Sequence, residues 1–282
     1  MFGIITTRFN SLIIRLREEK LMKPIGIDIL PTAQAAEGVD FSRSVVVVID
    51  VLRATSVITY ALANGAKALW PVSTTDEAFE LRNKLLAQGL SPNTIILGGE
   101  RNADIIPGFD LGNSPQAYTH ERVGGRTVVL TTTNGTLALG NAHGARHLLS
   151  ASLLNAQVVS QRTIQLAQAE DLSIVLLCSG NYGQPTLEDS LCAAVMAQDI
   201  EFVLGADNVC YLSDNAIGTR MMAEAYTPNS VEWFRMARHY NKLISKGYGT
   251  DVQVCLQQVN TLSVVPIRCA NGYLVADVGM KK

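Results

Sequence analysis

Five short runs dominated by valine, isoleucine and leucine recur along the chain, with stretches of helical periodicity between most of them, and this alternation restricts the fold more than any other feature. The runs are "SVVVVIDV" (44–51), "NTIILGGE" (93–100), "GRTVVLTTT" (125–133), "RHLLSAS" (146–152) and "LSIVLLCSG" (172–180). Continuous apolar runs of this length, rather than alternating ones, are what strands buried on both faces require. Helical patterns over Thr55–Ala66, Thr75–Gln88, Gly135–Ala142 and Asn155–Ala169 lie between or after them. The expectation is an α/β fold, a mostly parallel sheet flanked by helices and built from right-handed βαβ units.

The 282 residues exceed the usual size of a single core, so two subdomains or one large α/β unit are the natural expectations. Residues 1–21 read as an N-terminal extension, an upstream start or a loose terminal helix, because "MKPIGIDIL" from Met22 already looks like a first strand. A first α/β subdomain is expected over 22–180 and a second, more helical one over 181–282. Within the latter, Leu187–Leu204, Asn208–Tyr226 and Ser230–Ile244 read as helices. "DVQVCLQQV" and "LSVVPIRCANGYLVAD" read as strands, with a turn at Asn271-Gly272.

Charge narrows the range of partners. Lysine and arginine number 23 against 25 acidic residues, net −2, so no global basic field exists to attract nucleic acid or anionic lipid. No span of about 20 uninterrupted apolar residues occurs, and the first 21 residues lack a secretory signal's apolar segment and cleavage site. The five cysteines are odd in number, form no C-x-x-C pair and sit mostly in apolar runs, as expected of reduced thiols in a cytoplasmic protein. With 48% hydrophobic residues the composition also permits a homodimer.

The polar residues collect where strands end, which in a parallel sheet is where ligands bind. "DVLRATS" places Asp50 at a strand end and Arg53 in the turn, with Thr55 or Ser56 as helix cap; an Asp–Arg ion pair would account for the same residues. "GGER" gives two glycines suited to close approach of a ligand, then Glu100 and Arg101. "GFDLGNSP" contributes Asp110, Asn113 and Ser114 ahead of a proline at a helix start, equally a simple turn and cap. In "LTTTNGT", Thr132, Thr133, Asn134, Gly135 and Thr136 join hydroxyls to a helix N-terminus, a combination that favours phosphate or sulfonate oxygens. "CSGNYGQPTLEDS" carries Glu188 and Asp189; Thr186 and Asp189 fit a capping box, whereas Glu188 has no part in one. Together with Asp50 and Glu100, these carboxylates could hold Mg²⁺, a hard ion that binds through one or two carboxylates, waters and substrate oxygens. Carboxylates, arginines and hydroxyl-rich helix starts together suit phosphoryl chemistry on a small anionic phosphorylated substrate.

Other chemistries lack their signatures. There is no G-x-x-x-x-G-K-[ST], and no G-x-G-x-x-G after a strand. Gln184 stands where a cysteine phosphatase would need an arginine after Cys178, and Leu52 where a haloacid-dehalogenase-type phosphatase would need a second aspartate after Asp50. His120, His143, His147 and His239 are scattered; His143 and His147 could share a helix face, but no H-E-x-x-H supports zinc.

Six motifs in order, "VVVVIDVLRATS", "ALANGA", "GGER", "GFDLGNSP", "LTTTNGT" and "TLED", resemble the 2-phosphosulfolactate phosphatase family, with the likeness densest over residues 24–195. The resemblance implies a Mg²⁺-dependent phosphatase that converts (2R)-2-phospho-3-sulfolactate to 3-sulfolactate and phosphate, a step of coenzyme M biosynthesis, with its site in a cleft between two α/β subdomains. On that basis Asp50, Glu188 and Asp189 are expected as metal ligands or water-orienting groups, and Glu100 as an acid/base or supporting group. Arg53 and Arg101 are expected as anion clamps, and Asn113, Ser114 and Thr132–Thr136 as substrate contacts. An isomerase acting on a sugar phosphate and a non-catalytic polyanion-binding module are the alternatives from other classes.

Overall fold

A computed structural model describes residues 23–225 and 231–277. The elements in chain order begin β1 (Ile25–Leu30), β2 (Ser44–Ile49), α1 (Ala54–Ala63), β3 (Ala68–Pro71), α2 (Thr75–Ala87), β4 (Ile95–Arg101) and β5 (Asp104–Ile105). They continue with α3 (His120–Val123), β6 (Thr127–Thr131), α4 (Gly135–Asn141), β7 (His147–Ala151), α5 (Ala156–Glu170), β8 (Ser173–Cys178) and α6 (Leu187–Leu204). The last part holds β9 (Val209–Tyr211), α7 (Asp214–Ala225), α8 (Val231–Phe234), α9 (Arg238–Ser245), α10 (Gly249–Gln257), β10 (Pro266–Arg268) and β11 (Leu274–Ala276).

The eleven strands among the described residues form one sheet in the order β5-β4-β6-β3-β11-β10-β7-β2-β8-β1-β9. It contains two parallel blocks, β4-β6-β3 and β7-β2-β8-β1-β9. The antiparallel β10–β11 hairpin, closed at Asn271-Gly272, sits between the blocks by pairing with β7 on one side and β3 on the other. The mostly parallel α/β expectation therefore holds, and the C-terminal hairpin supplies the middle of the sheet.

Why β2 carries valines at four successive positions follows from its place. Val45, Val47 and Ile49 point into the apolar layer formed with α5, α6 and α10, while Val46 and Val48 point into the opposite layer with α1 and α4. Both faces are buried from Val45 to Ile49, and these five positions are all apolar. Polar side chains appear as soon as β2, β4, β6 and β8 leave the sheet at their C-terminal ends.

Several expectations in the second half are corrected. "DVQVCLQQV" is helical as α10: Val252, Cys255 and Leu256 are buried at helical spacing, although Val252, Val254 and Leu256 also alternate as a strand would. The helix expected from Asn208 starts at Asp214, because Val209–Tyr211 extends the sheet as β9 beside β1. The single helix expected to Ile244 is two, α8 and α9, and its start at Ser230, like Tyr226 and residues 1–21, lies outside the described residues. His143 and His147 share no helix: His143 follows α4, and His147 opens β7 with its ring bonded to Glu170 (2.7 Å). The five cysteines are free thiols; Cys178, Cys192 and Cys255 are buried, while Cys210 is exposed.

Candidate active site

The loops that follow β2, β4, β6 and β8 surround a cleft of about 390 Å³, with α9 closing one side. Asp50, Arg53, Glu100, Asn113, Thr132, Thr133 and Asn134 all line it, so residues separated by up to 84 positions in the chain meet at one place.

Asp50 is the central carboxylate. Its Oδ1 accepts the Ala54 N–H (3.0 Å), which caps α1 in place of the expected Thr55 or Ser56; those hydroxyls instead donate back to the carbonyls of Asp50 and Val51. A Cβ built on Gly135 would stand 2.5 Å from the Ala54 Cβ and 2.7 Å from Asp50 Oδ2, so only glycine at the start of α4 lets the two helix starts meet around this aspartate. Burial raises the Asp50 carboxyl to about 6, opposed by the Ala54 N–H and by His239 and reinforced by Glu100 and Glu188.

Asp189 lies behind it, with Oδ1 accepting the Val51 N–H (2.8 Å) and Oδ2 the Gly180 N–H (3.1 Å). It thereby ties the loop after β2 to the loop after β8. Burial, then the neighbouring Asp50 and Glu188, hold its carboxyl well above the usual range. The capping box is not formed, since Thr186 makes no side-chain capping bond. Glu188 is buried, with Oε1 bonded to His239 Nδ1 (2.7 Å) and Oε2 without a hydrogen-bond partner among the described residues. Glu100 uses both oxygens on backbone, accepting Ala103 N–H (2.6 Å) and Thr133 N–H (2.8 Å), and so fixes the threonine loop.

That loop has a division of labour. Thr132 and Thr136 are reciprocally bonded through side-chain oxygens and backbone N–H groups, and Thr131 accepts from Arg101. Three of the four hydroxyls thus hold the turn together. Among the described residues Thr133 Oγ1 is buried without a partner at the cleft wall, as is Asn113 Oδ1, and Asn134 reaches across to Asn181 and the Tyr182 N–H.

The two arginines part company. Arg53 does not pair with Asp50; its guanidinium is buried in the cleft wall, donates to Asp251 Oδ2 (2.6 Å) and the Ala103 carbonyl (3.0 Å), and stacks 4.0 Å over the Tyr248 ring. Ser114 donates to the same Asp251 oxygen (2.6 Å), so α10 sets the arginine's direction. Arg101 is not among the residues lining the cleft; it donates to the carbonyls of Glu100 and Ser73 and to Thr131 Oγ1. Gly98 and Gly99 admit protein rather than ligand, since a Cβ on either would strike the Tyr118 hydroxyl or the Thr131 backbone.

Among the described residues no three His, Cys, Asp or Glu side chains are grouped to hold an ion by themselves. Mg²⁺ does not need such a group, because waters and substrate oxygens complete its shell. Of the three expected ligands only Asp50 lines this cleft, while Glu188 lines the neighbouring pocket beside His239 with Oε2 unpartnered among the described residues; a bound cation would relieve the repulsion among these buried carboxylates. Asp189, with both oxygens on backbone N–H groups, is the least available of the three.

The 2-phosphosulpholactate phosphatase family model matches residues 31–271. The chain belongs to this family. Its similarity to curated relatives extends well beyond the motif-rich first half. A probable 2-phosphosulfolactate phosphatase of Symbiobacterium thermophilum is 37% identical over 81% of this chain and 92% of its own length. Proteins described in the same words from Clostridium perfringens (37% identical, 81% of this chain, 88% of theirs) and Carboxydothermus hydrogenoformans (38%, 78% and 84%) agree. The family match takes in α9 and α10, and with them His239, Lys242 and Asp251, residues of the cleft and its wall that carry no sequence motif.

Proposed function

We propose that the protein is a Mg²⁺-dependent phosphoric monoester hydrolase that converts (2R)-2-phospho-3-sulfolactate to 3-sulfolactate and phosphate. The observation that carries this reading is the buried Asp50 carboxylate, set at the meeting of two helix starts in a small cleft with Arg53 and the Thr132–Asn134 loop. The names of the relatives supply the substrate.

Asp50 and Glu188 are the residues that would hold the cation, since each keeps an oxygen not taken by a backbone N–H. Bound Mg²⁺ would neutralise charge on the phosphoryl oxygens and orient the attacking oxygen. Arg53, immobilised by Asp251 and Tyr248, presents a fixed positive charge to the phosphoryl group, so little reorganisation is needed as charge develops. Thr133 and Asn134 give hydrogen bonds at the cleft wall, and Glu100 holds their loop by its bond to the Thr133 N–H. His239 lines the cleft with Nδ1 committed to Glu188, which leaves its other nitrogen to pass a proton to the leaving alkoxide oxygen.

In this reaction a P–O bond forms to the attacking oxygen, the ester P–O bond breaks, and the released alkoxide takes a proton. Among the described residues no helix is long and apolar enough to cross a membrane. The test is phosphate release from a panel of phosphorylated 2-hydroxy acids with Mg²⁺ titrated. Preference for phosphosulfolactate with dependence on the metal is expected. Ligand-induced stabilisation without phosphate release would contradict the reading.

A further inference from the structure

The site has an electrostatic problem that its arginine does not solve. The proposed substrate carries carboxylate and sulfonate groups besides its phosphate, yet Arg53, paired with Asp251 at 2.6 Å, is a single guanidinium already assigned to the phosphoryl group. Arg101, the other arginine of the motifs, is spent on backbone carbonyls and a threonine outside the cleft lining. A second source of positive charge is needed for a guest with this many anionic groups.

Helix α9 provides one. His239, Lys242 and Leu243 fall on one helical face, and all three line the cleft. Leu243 is buried in the core and anchors that face, so the two polar residues are held toward the site. The Lys242 ammonium has no carboxylate partner among the described residues. It lies 5.1 Å from the centroid of the Tyr182 ring, which attracts the cation without cancelling its charge. Tyr182 in turn is held by a hydroxyl bond to Asn102 Oδ1 (3.1 Å).

The contrast with Lys246, four residues further on at the C-terminal cap of α9, is informative. Its ammonium is bonded to Asp104 Oδ2 (2.6 Å) and to the Asn102 carbonyl, so it is fully used in fastening α9 to the β4–β5 turn. Two lysines four residues apart thus have opposite states: one fastens the helix, and the other faces the cleft with its charge uncompensated.

We propose that Lys242 is a specificity-determining residue that binds the second anionic group of the substrate, the carboxylate or sulfonate carried on its carbon skeleton, while Arg53 and the Thr133–Asn134 loop take the phosphate. The inference rests on the hydrolase reading for its substrate, but binding tests it separately from turnover.

The experiment uses the full-length chain and its Lys242→Met and Lys242→Arg variants, with calorimetric titration of 3-sulfolactate and, separately, of inorganic phosphate, each in the presence of Mg²⁺. Loss of a hydrogen bond to a charged group predicts about 10–100-fold weaker 3-sulfolactate binding by Lys242→Met. Phosphate affinity should change less than about twofold, and Lys242→Arg should recover most of the loss. Steady-state kinetics should show the same loss in KM for phosphosulfolactate, with kcat nearly unchanged. Replacing that substrate by 2-phospholactate identifies the group: a defect confined to phosphosulfolactate assigns the sulfonate, and an equal defect on both assigns the carboxylate. Unchanged 3-sulfolactate affinity in Lys242→Met, or an equal fall in phosphate affinity, would overturn the proposal. Failure of the parent to release phosphate would sink the hydrolase reading and leave the calorimetric comparison intact.

Discussion

Substitution of Gly135 by alanine tests whether the joining of two helix starts around Asp50 is what builds the site. The added Cβ would sit 2.5 Å from the Ala54 Cβ and 2.7 Å from Asp50 Oδ2. Carbon atoms rest at about 3.5–4.0 Å, so α4 and the Asp50 turn must separate by roughly 1 Å. Overpacking of this kind costs about 1–3 kcal/mol, and a displacement of roughly 1 Å at reacting groups costs about 10²-fold in rate. Gly140 is the internal control, because it lies in the same helix and an added Cβ there meets nothing nearer than Ser73 Oγ at 4.0 Å. Gly140→Ala should therefore gain about 0.5–1 kcal/mol from helix propensity without affecting turnover. The assays are thermal unfolding and kcat/KM for phosphate release in the parent and both variants. If Gly135→Ala keeps the parent's melting temperature and kcat/KM, the close approach described here does not shape the site.

Two further outcomes follow from the buried charges. Asp251→Ala strips the buried Arg53 of its carboxylate and should cost about 3–5 kcal/mol in urea unfolding, whereas Arg53→Met combined with Asp251→Leu should recover much of that stability and still lack turnover. Recovery of activity in the double variant would remove Arg53 from the chemistry. Burial raises Asp50 from about 3.9 when unfolded to about 6 when folded. Its contribution to stability is therefore fully present below about pH 4 and lost as pH rises through about 6. Without divalent cations, Asp50→Asn should be more stable than the parent at pH 8, by on the order of 3 kcal/mol, and lose that advantage at acid pH. An advantage that grew toward low pH would reverse the sign of the argument.

The parallel core was legible because β2, β4, β6, β7 and β8 are buried on both faces and so read as unbroken apolar runs. β3 was missed: "ALWP" is four residues long and ends in proline, too short for a periodicity to show. α10 was misread because Val252, Val254 and Leu256 alternate like a strand, and only packing against the sheet shows that the buried spacing is helical. In the site, Asp50, Glu100, Thr133 and Asn134 were legible as polar residues directly after strands. Nothing local distinguished Thr133, whose hydroxyl faces the cleft wall unpartnered, from Thr132 and Thr136, whose hydroxyls hold the turn. His239, Lys242 and Asp251 come from helices more than 100 residues beyond that loop and carry no motif. The available signal was the i, i+3, i+4 spacing of His239, Lys242 and Leu243, which places two polar groups beside a core leucine.

The most direct measurement is the initial rate of phosphate release from (2R)-2-phospho-3-sulfolactate by the parent and by Asp50→Asn, side by side, as Mg²⁺ is titrated. The account predicts saturable activation of the parent by Mg²⁺ and a fall of about 10²-fold or more in the variant at every metal concentration. Equal rates in the two proteins, or a parent rate indifferent to the metal, would contradict it.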